Sequence, residues 1–429
     1  MSLISDYDVV VIGAGAAGLA ASAELMAKGK SVICLEAMDR IGGRCYTDHS
    51  IFGLPCDIGA HWLHSFSGNK IAQYGLKIGN EFDVYKLKEN VLVYDGNKKT
   101  DGSRLYSVIN QIKSLKDKHS KSNSNSQIID VPFLDLIPDE VKNNAWFDTA
   151  HQALGACLEG VDFHNFTTAD ALLNYKSSGE GDGFVKQGYG DLLAHYRQNV
   201  PVTLNTIVNE IDWSGRLLKI KTNKGTITSK TCIVTVSTNV LSRGIIKFSP
   251  SLPLEKYEAF SQINLGLYNH IMVQFKDSFY KNFNIKNDTY WFSKITTKSL
   301  SPIGCFGSLK LHNFNLSYFD VGGGFAKELE SAGENEAKDF ILRTLKSTFG
   351  SDIKKNIIKF YVTSWGKNKF VLGSYSSAKP GKSHLRKNLK TSIANKIFFA
   401  GEAVSNNYGT VHGADASGIK SATDILSLK

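Results

Sequence analysis

The chain has 429 residues, of which 42% are hydrophobic, and its formal net charge is +10. This length allows a large core and favours two intertwined domains over one simple core. The lysines are scattered and no nucleic-acid-binding module is present, so the positive charge does not indicate a nucleic acid partner.

The N-terminal residues, MSLISDYD, lack the basic and apolar regions of a secretory signal. No apolar stretch free of a motif is long enough to span a bilayer. The six cysteines form no C-x-x-C pair, which is typical of free thiols in a reducing compartment. We therefore expect a cytoplasmic protein without a membrane partner, and we predict no metal site.

The first fifty residues predict a strand–helix–strand unit with a glycine-rich turn. Residues 8–12 form a β-branched run, GAGAAG follows at 13–18, and an alanine-rich helix is expected over 19–28. A second strand is expected over 31–35, and Glu36 closes it. A G-x-G-x-x-G motif in this context indicates a dinucleotide site.

Each residue of this motif has a separate expected role. Gly13 permits the tight turn, Gly15 allows the backbone to approach a pyrophosphate, and Gly18 lets the helix pack close to the strand. The free N–H groups at the helix N-terminus attract phosphate. Glu36 is placed to accept hydrogen bonds from ribose hydroxyls, which a merely structural turn would not explain.

The stretch after Glu36 distinguishes FAD from NAD. A second glycine pair, Gly42–Gly43, and two arginines, Arg40 and Arg44, follow the second strand. The arginines are suited to neutralising a pyrophosphate, and the glycines let the chain pass close to the cofactor. A simple NAD dehydrogenase does not need this extension, so FAD is favoured.

The same stretch, EAMDRIGGR at 36–44, resembles the signature of the flavin-containing amine oxidase family. The block DIGAHWLH at 57–64, followed by Gly68-Asn69, is similar to the polyamine and spermine oxidase branch of that family. The resemblance implies an α/β fold with a Rossmann-like, doubly wound FAD-binding domain and an interleaved α+β substrate domain. We predict that residues 1–65, 184–263 and 365–429 form the FAD-binding domain, and that 66–183 and 264–364 form the substrate-binding domain.

Two positions in the middle of the chain gain roles from the resemblance. In the family, the valine at the position of Val208 contacts the adenine through its backbone. The segment 265–275 places His270 where much of the family has a lysine that holds a water near flavin N5. An imidazole can also hold a water, but its charge depends on pH. This departure puts rapid reaction with O₂ in doubt.

The C-terminal region resembles the family's W…GSYS block over residues 363–376. Tyr375 lies where one wall of the family's aromatic cage faces the flavin, and Trp365 would border the flavin. An aromatic face tolerates a polarised or cationic nitrogen. Ser374 replaces the cysteine that links monoamine oxidases covalently to FAD, so non-covalent FAD is implied.

The last helix is expected to begin within 409–418, with its N–H groups directed at the flavin. Thr410 lies where monoamine oxidases have the second cage tyrosine, so the implied cage is half open and has room for secondary amines. Glu402 matches the family residue near the ribityl and phosphate groups. The predicted cofactor-binding residues are Gly13, Gly15, Ala17, Gly18, Glu36, Ala37, Arg40, Gly43, Arg44, Gly59, Ala60, His61, Trp62, Val208, Trp365, Gly401, Glu402, Thr410 and Val411.

The implied reaction is FAD-dependent oxidation of an amine by hydride transfer from the carbon next to nitrogen, giving an imine that water hydrolyses. A polyamine-type or secondary amine is favoured, and O₂ or another acceptor would reoxidise the flavin. His64 is the candidate for a polar substrate contact. The predicted catalytic residues are His64, His270, Trp365, Tyr375 and Thr410.

Two alternatives stay open. An L-amino-acid oxidase would need a cation to hold a carboxylate, and Arg104 and Arg343 fall in the predicted substrate domain. A low-turnover flavin-binding or regulatory protein is compatible with His270 in place of lysine. Acidic residues at a tunnel mouth would favour polyamines, and Glu159, Glu180 and Asp182 are candidates. The oligomeric state is not indicated.

Overall fold

The computed structural model describes residues 5–84, 90–122, 130–173 and 181–428, with the side chains of 119–122 and 171–173 excepted. The strands are β1 Tyr7–Ile12, β2 Val32–Leu35, β3 Thr47–Asp48, β4 Cys56–Asp57, β5 Leu63–His64, β6 Phe82–Val84, β7 Val91–Asp95, β8 Lys98–Thr100, β9 Asp182–Val185, β10 Val202–Thr203, β11 Val208–Asp212, β12 Leu218–Thr222, β13 Gly225–Val234, β14 Lys247–Ser249, β15 Ile263–Leu265, β16 Tyr268–Phe275, β17 Thr289–Ser293, β18 Phe306–Leu309, β19 Leu316–Gly322, β20 Ile357–Val362, β21 Ser376–Ala378 and β22 Ile397–Phe399.

The helices differ widely in length. The α-helices are α1 Ala16–Ala27, α2 Lys70–Lys77, α3 Ser103–Ser122, α4 Asp139–Lys142, α5 Phe147–His151, α6 Thr168–Leu173, α7 Tyr189–Tyr196, α8 Thr238–Ser242, α9 Leu254–Gln262, α10 Asp277–Asn282, α11 Gly323–Ala332, α12 Glu334–Phe349, α13 Arg386–Lys390 and α14 Val411–Leu426. A π-helical segment, Gln152–Cys157, continues α5. The 3₁₀ turns are Phe66–Gly68, Phe133–Leu136, Leu311–Asn313, Ser351–Asn356, Ser383–Leu385 and Glu402–Val404.

The first sheet has the order β10-β2-β1-β13-β12-β11-β14, with β22 also paired to β13. Strands β10, β2, β1, β13 and β22 pair in parallel, which buries both faces beneath helices. The predicted strand–helix–strand unit is confirmed as β1-α1-β2. The helix begins three residues earlier than expected, at Ala16, with Gly15 as its N-cap.

One predicted strand is two separate strands in the structure. The alternating run 202–211 indicates a single strand, whereas the structure has β10 and then β11. Asn205 between them has a left-handed φ of 53°. Because an extended strand requires negative φ, this residue turns the chain. Strand β10 lies at one edge of the first sheet, and β11 is the second strand from the other edge, inside β14.

The second sheet has the order β20-β16-β19-β18-β17-β7-β8 and is largely antiparallel. The sequence pattern predicts that Phe340, Leu342, Leu345 and Phe349 form the apolar face of helix α12. The structure packs Phe340, Leu345 and Phe349 into the core, with Ile341 buried in place of Leu342. Strands β7 and β8 come from the predicted residues 66–183 and the other five from 264–364, but the domain boundaries themselves stay a prediction.

Helices α1 and α14 pack against each other at a glycine contact. A Cβ at Gly418 would lie 2.0 Å from the carbonyl oxygen of Ala17, so only glycine fits there. The two ends of the chain are thereby held together beside the first sheet. Among the described residues, no helix is both long and apolar enough to cross a bilayer.

Candidate active site

One continuous cavity of about 550 Å³ lies between the two sheets. Its walls come from the N-terminal unit, from the middle of the chain and from the C-terminal region. The predicted residues that line it are Gly13, Gly15, Ala17, Glu36, Ala37, Gly43, Arg44, Gly59, Ala60, His61, Trp62, His64, Val208, Trp365, Tyr375, Gly401, Glu402, Thr410 and Val411.

One end of the cavity has the features of a nucleotide cradle. A Cβ added at Gly15 would meet only the Gly42 carbonyl, at 3.9 Å, so the backbone is open to a ligand. The Glu36 carboxylate is buried and accepts hydrogen bonds from the N–H groups of Ala14 (2.7 Å) and Met38 (2.9 Å). Burial raises the pKa of Glu36, and the two N–H donors oppose this effect.

Arg44 forms part of the cavity wall. Its guanidinium donates to the Glu402 carboxylate at 2.9 Å and to the carbonyl of Ser374. Glu402 also accepts from the Ser376 hydroxyl and from the N–H of Gly409. Burial alone would raise the pKa of Glu402, but Arg44 and these donors hold it below its usual value.

Two predicted cofactor residues lie outside the cavity wall. Arg40 stacks 4.0 Å over the Tyr46 ring and donates to the Gly43 carbonyl at 2.9 Å. Gly18 acts through packing alone, since a Cβ there would lie 1.8 Å from the Gly13 carbonyl oxygen. Arg44 is thus the arginine of this motif that lines the cavity.

The residues present fit a flavin dinucleotide. The cradle at Gly15 lies between a buried carboxylate on one strand end and the start of α1, as binding of a ribose and a pyrophosphate requires. The cavity continues from this cradle to a second, aromatic end, so one elongated ligand can occupy both.

The other end of the cavity is walled by aromatic rings. Trp62, Tyr268, Phe306, Trp365 and Tyr375 line it. The Tyr375 hydroxyl donates to the carbonyl of Cys157, and the Trp365 indole N–H donates to the carbonyl of Ile58 at 2.9 Å. These bonds fix both rings. An apolar, aromatic wall of this kind excludes water and accommodates an amine.

Thr410 and Ser374 both line this end, but each hydroxyl already bonds to the backbone. Thr410 caps α14, accepting from the N–H of Gly413 and donating to the carbonyl of Asn407. Ser374 bonds to the N–H and carbonyl of Tyr268, both at 2.8 Å. Neither residue adds an aromatic ring to the cage.

Three titratable side chains lie at the same end. Nδ1 of His64 is 2.9 Å from Asp182, and His64 stacks on Trp62. Burial opposes ionisation of Asp182, but the hydrogen bond from His64 lowers its pKa overall. Lys113, on α3, also lines the cavity, and burial together with Lys116 lowers its pKa.

Of the two other acidic candidates, the one that the structure describes does not line the cavity. Glu159 is buried against Lys116, with the carboxylate 3.0 Å from the ammonium nitrogen. Glu180 lies outside the described residues. Asp182 is therefore the acidic side chain found at this end of the described cavity.

His270 does not line the cavity, in contrast to its predicted role. It is 1% exposed, its Nδ1 lies 2.6 Å from the Asp320 carboxylate, and its Nε2 lies 3.0 Å from the Gly59 carbonyl. Because a carbonyl only accepts, Nε2 carries a proton. Both nitrogens are occupied, so this ring has none free to hold a water. The structure thus places His270 away from the cavity wall, and its water-holding role stays a prediction that these contacts do not support.

A second imidazole, His61, stands between His270 and the cavity. Its ring centroid is 4.6 Å from that of His270, and it is 2% exposed. Burial, followed by His270, lowers the pKa of His61 well below its usual value. With Asp320 the two rings form a cluster whose polar atoms lie within 4.8 Å of one another, and both ring nitrogens of His270 already contact other groups.

Sequence reasoning did not identify several lining residues. Tyr268 lies within the segment 265–275, in which the sequence assigned a role to His270 alone. Lys113 lies on a helix with a polar, surface-like pattern, and the tertiary structure determines which of its faces meets the cavity. Cys157 and its neighbours enter from the π-helical segment, a feature often found at functional sites. The cavity-lining residues missed at this end are Lys113, Ala153, Leu154, Cys157, Leu158, Tyr268 and Phe306.

Comparison with known proteins agrees with this arrangement. The sequence profile of the family described as flavin containing amine oxidoreductase matches residues 16–426. Polyamine oxidase 4 of Oryza sativa subsp. japonica is 29% identical over 98% of this chain and 88% of its own length. Lysine-specific histone demethylase 2 of Homo sapiens is 26% identical over 99% of this chain, which spans 54% of that protein.

The fold also resembles those of solved structures over nearly the whole chain. A putrescine oxidase bound to putrescine superposes with a TM-score of 0.80 over 98% of this chain and 99% of that one, at 20% sequence identity. This likeness establishes the architecture: an α/β dinucleotide-binding domain with an interleaved substrate domain. The family match covers nearly the whole chain and includes the cavity-lining residues from Ala16 onward. The chain belongs to the flavin-containing amine oxidoreductases.

Proposed function

We propose that the cavity binds FAD non-covalently and that the protein oxidises an amine at the carbon next to nitrogen. The observation that carries this proposal is the continuity of one cavity from the cradle at Gly15 and Glu36 to the aromatic end at Trp365 and Tyr375. Bound FAD would accept the hydride, and the resulting imine would be hydrolysed to an aldehyde and an amine.

The protein residues supply position and a dry environment. Glu36 would accept hydrogen bonds from the ribose, Arg44 would neutralise cofactor charge, and the start of α14 would direct N–H groups at the flavin. Trp365 and Tyr375, fixed by their hydrogen bonds, would confine the substrate against the reactive ring. Excluding water also favours the neutral form of the amine, which the hydride transfer requires.

Non-covalent binding is supported by Ser374. A hydroxyl occupies this position where a thiol would be needed for the family's covalent bond, and it is tied to the Tyr268 backbone. Acid precipitation of the purified yellow protein should release FAD into the supernatant. Flavin retained in the pellet after washing would contradict this part of the proposal.

Amine oxidation is tested by anaerobic reduction. A panel of polyamines, diamines, secondary amines, monoamines and L-amino acids is mixed with the protein, and bleaching of flavin absorbance is followed. We expect a secondary or polyamine-type substrate to give the fastest bleaching, because Thr410 adds no second ring to the cage. If no amine bleaches the flavin, the alternative hypothesis of a low-turnover flavin-binding protein is favoured. Admitting O₂ or an artificial acceptor afterwards identifies the oxidant.

L-amino-acid oxidation is a second candidate because of Lys113. The two arginines considered for a carboxylate are excluded from the described cavity wall: Arg104 is exposed, and Arg343 pairs with Glu336 on the exposed face of α12. Lys113, in contrast, lines the aromatic end. If amino acids reduce the flavin and Lys113→Met abolishes only that reaction, this second candidate is the correct one.

A further inference from the structure

The aromatic end of the cavity opens to solvent at Leu158. This leucine lines the cavity and is 50% exposed, whereas Trp365, in the aromatic wall, is 7% exposed. The residue before it, Cys157, accepts the hydrogen bond of the Tyr375 hydroxyl through its carbonyl. A substrate held against the two rings can therefore extend outward past Leu158.

Lys113 lies beside this opening. It lines the cavity, and its neighbours one turn away on α3, Ile109 and Lys116, are both buried. Lys113 therefore lies on the packed side of the helix rather than on its solvent face. The Lys116 ammonium bonds to the carboxylate of Glu159 at 3.0 Å, and Glu159 directly follows Leu158 in the chain. This contact holds Lys113 within one helical turn of the opening.

The Lys113 ammonium has neither a hydrogen bond nor an ion pair among the described residues. Burial lowers its pKa and Lys116 adds to this effect, whereas the carboxylates of Asp117 and Asp182 oppose it. Asp182 is already paired with Nδ1 of His64 at 2.9 Å. Because a partly buried charge without a bonded counter-ion is costly, an anion bound beside Lys113 would be stabilised.

The charges at this end of the cavity do not match a substrate with several ammonium groups. Asp182 is the carboxylate that the described wall offers there, and it is paired with His64. Lys113 would repel a second ammonium group on the substrate, whereas it would attract a carboxylate. The charge pattern thus favours an anionic outward chain over a cationic one.

We propose that Lys113 is a specificity-determining residue whose ammonium binds a carboxylate of the substrate, and that the preferred substrate is a secondary amine with this carboxylate on its outward chain. The proposal rests on the proposed amine oxidation and deepens it by naming the substrate class. The amine would lie against Trp365 and Tyr375, and the carboxylate would lie at the opening. An α-amino acid differs from this class, because its carboxylate is attached to the carbon that is oxidised.

The test compares three amines that share a methylamino group on a three-carbon chain and differ in the group at the far end. They are 4-(methylamino)butanoate with a carboxylate, N-methylbutylamine with a methyl group, and N-methyl-1,3-diaminopropane with an ammonium group. Each is mixed anaerobically with the holoenzyme, and the concentration dependence of flavin bleaching gives an apparent dissociation constant. We expect the carboxylate compound to bind most tightly and the diamine least tightly.

Lys113→Met removes the charge and keeps a side chain of similar length. It should weaken binding of 4-(methylamino)butanoate about tenfold or more, the effect of one lost charge-assisted hydrogen bond. N-methylbutylamine, without a charge at that end, should bind within about twofold of its affinity for the unchanged protein. Lys113→Arg, which keeps the charge, should retain the preference for the carboxylate compound.

Lys118→Met serves as the matched control, because Lys118 is an exposed lysine of the same helix and does not line the cavity. It should leave all three dissociation constants unchanged. Absorbance of bound flavin and the unfolding temperature establish that each variant is folded.

Two results would overturn the inference even if amines reduce the flavin: tightest binding of the diamine, or an equal effect of Lys113→Met on all three compounds. Failure of these compounds and of the whole amine panel to bleach the flavin would instead overturn the proposed function. Flavin difference spectra then give the same three dissociation constants without turnover, so the role of Lys113 is decided in either case.

Discussion

At the scale of single residues, Glu402 is the most consequential carboxylate of the site. It is buried beneath the cavity and receives hydrogen bonds from Arg44, Ser376 and Gly409. Glu402→Gln removes the charge and leaves Arg44 without its partner. We expect a loss of about 1–3 kcal/mol in the free energy of unfolding at pH 7, measured by urea denaturation.

The same residue predicts a pH dependence. Because the folded-state pKa of Glu402 lies below the usual 4.5, its contribution to stability is complete above that value and is lost as pH falls through the folded-state pKa. The unchanged protein should therefore lose stability more steeply than Glu402→Gln below about pH 4.5. Parallel stability curves for the two proteins between pH 3 and pH 6 would contradict the expectation.

Residues whose roles are local could be predicted from the sequence. Gly13, Gly15 and Glu36 act within one strand–helix–strand unit, where spacing alone determines what they meet. The contact of Arg40 with the Tyr46 ring was not predicted, because the sequence does not show which way the arginine turns. The contact of His270 with Asp320 was not predicted, because Asp320 lies on another strand.

At the scale of elements, the contact of α1 with α14 is sensitive to a single methyl group. Gly418→Ala would place a Cβ 2.0 Å from the Ala17 carbonyl, and backbone atoms on both helices must move to admit it. We expect a loss of about 1–3 kcal/mol in unfolding free energy and weaker flavin binding, since α1 carries the phosphate-binding turn. Gly215→Ala is the control: its nearest atom is 3.5 Å away. Equal stability of the two variants would be inconsistent with this packing.

A buried ion pair ties α6 to α13. Arg386 donates to both oxygens of Asp170, at 2.9 and 2.7 Å, and stacks 3.8 Å over the Tyr408 ring. Asp170→Asn should destabilise the protein by about 3–5 kcal/mol, because it leaves a buried guanidinium unpaired.

The exposed pair of Lys355 and Asp352 provides the comparison for that prediction. Both side chains are largely exposed, and Asp352→Asn should change the unfolding free energy by less than about 1 kcal/mol. Thermal and urea unfolding of the two variants are measured side by side. A similar loss of unfolding free energy in both variants would contradict the prediction that breaking the buried pair costs more.

Elements were predicted where periodicity is strong and missed where the backbone turns at one residue. The amphipathic α12 and the first parallel strands follow directly from hydrophobic spacing. The break at Asn205 depends on a left-handed residue that an alternating pattern does not reveal. The pairing of His270 with Asp320 depends on the register of β16 and β19, in which the two residues are directly opposite.

At the scale of the whole molecule, the cavity connects three distant parts of the chain, so an occupying ligand should stabilise all of it. FAD at a free concentration of 100 times its dissociation constant should add about 2.7 kcal/mol to the unfolding free energy of the apoprotein. The unfolding temperature is measured with FAD, with ADP and with NAD. We expect the order FAD, ADP, NAD in decreasing effect. Stabilisation by NAD but not by FAD would contradict the cofactor proposal.

The general arrangement was accessible from the sequence because its two strongest signals lie at opposite ends of the chain. The cradle at Gly13–Gly15 follows β1, and the run 398–402 begins in β22. Both of these strands pair with β13 in the first sheet, so only the folded chain brings the two regions together. The aromatic end was less accessible. Its walls include α3 and the π-helical segment, whose positions depend on packing between the two sheets.

The reactivity of the buried cysteines reports whether the protein is folded. All six thiols are free and shielded from solvent, but Cys45 and Cys157 border the cavity while the other four are packed in the interior. Because burial raises the pKa of both of these thiols well above the usual value, a small alkylating reagent should mark all six cysteines only on unfolding. Mass spectrometry of the alkylated chain would then measure, in one sample, the folded and the denatured fractions, and FAD should increase the folded fraction.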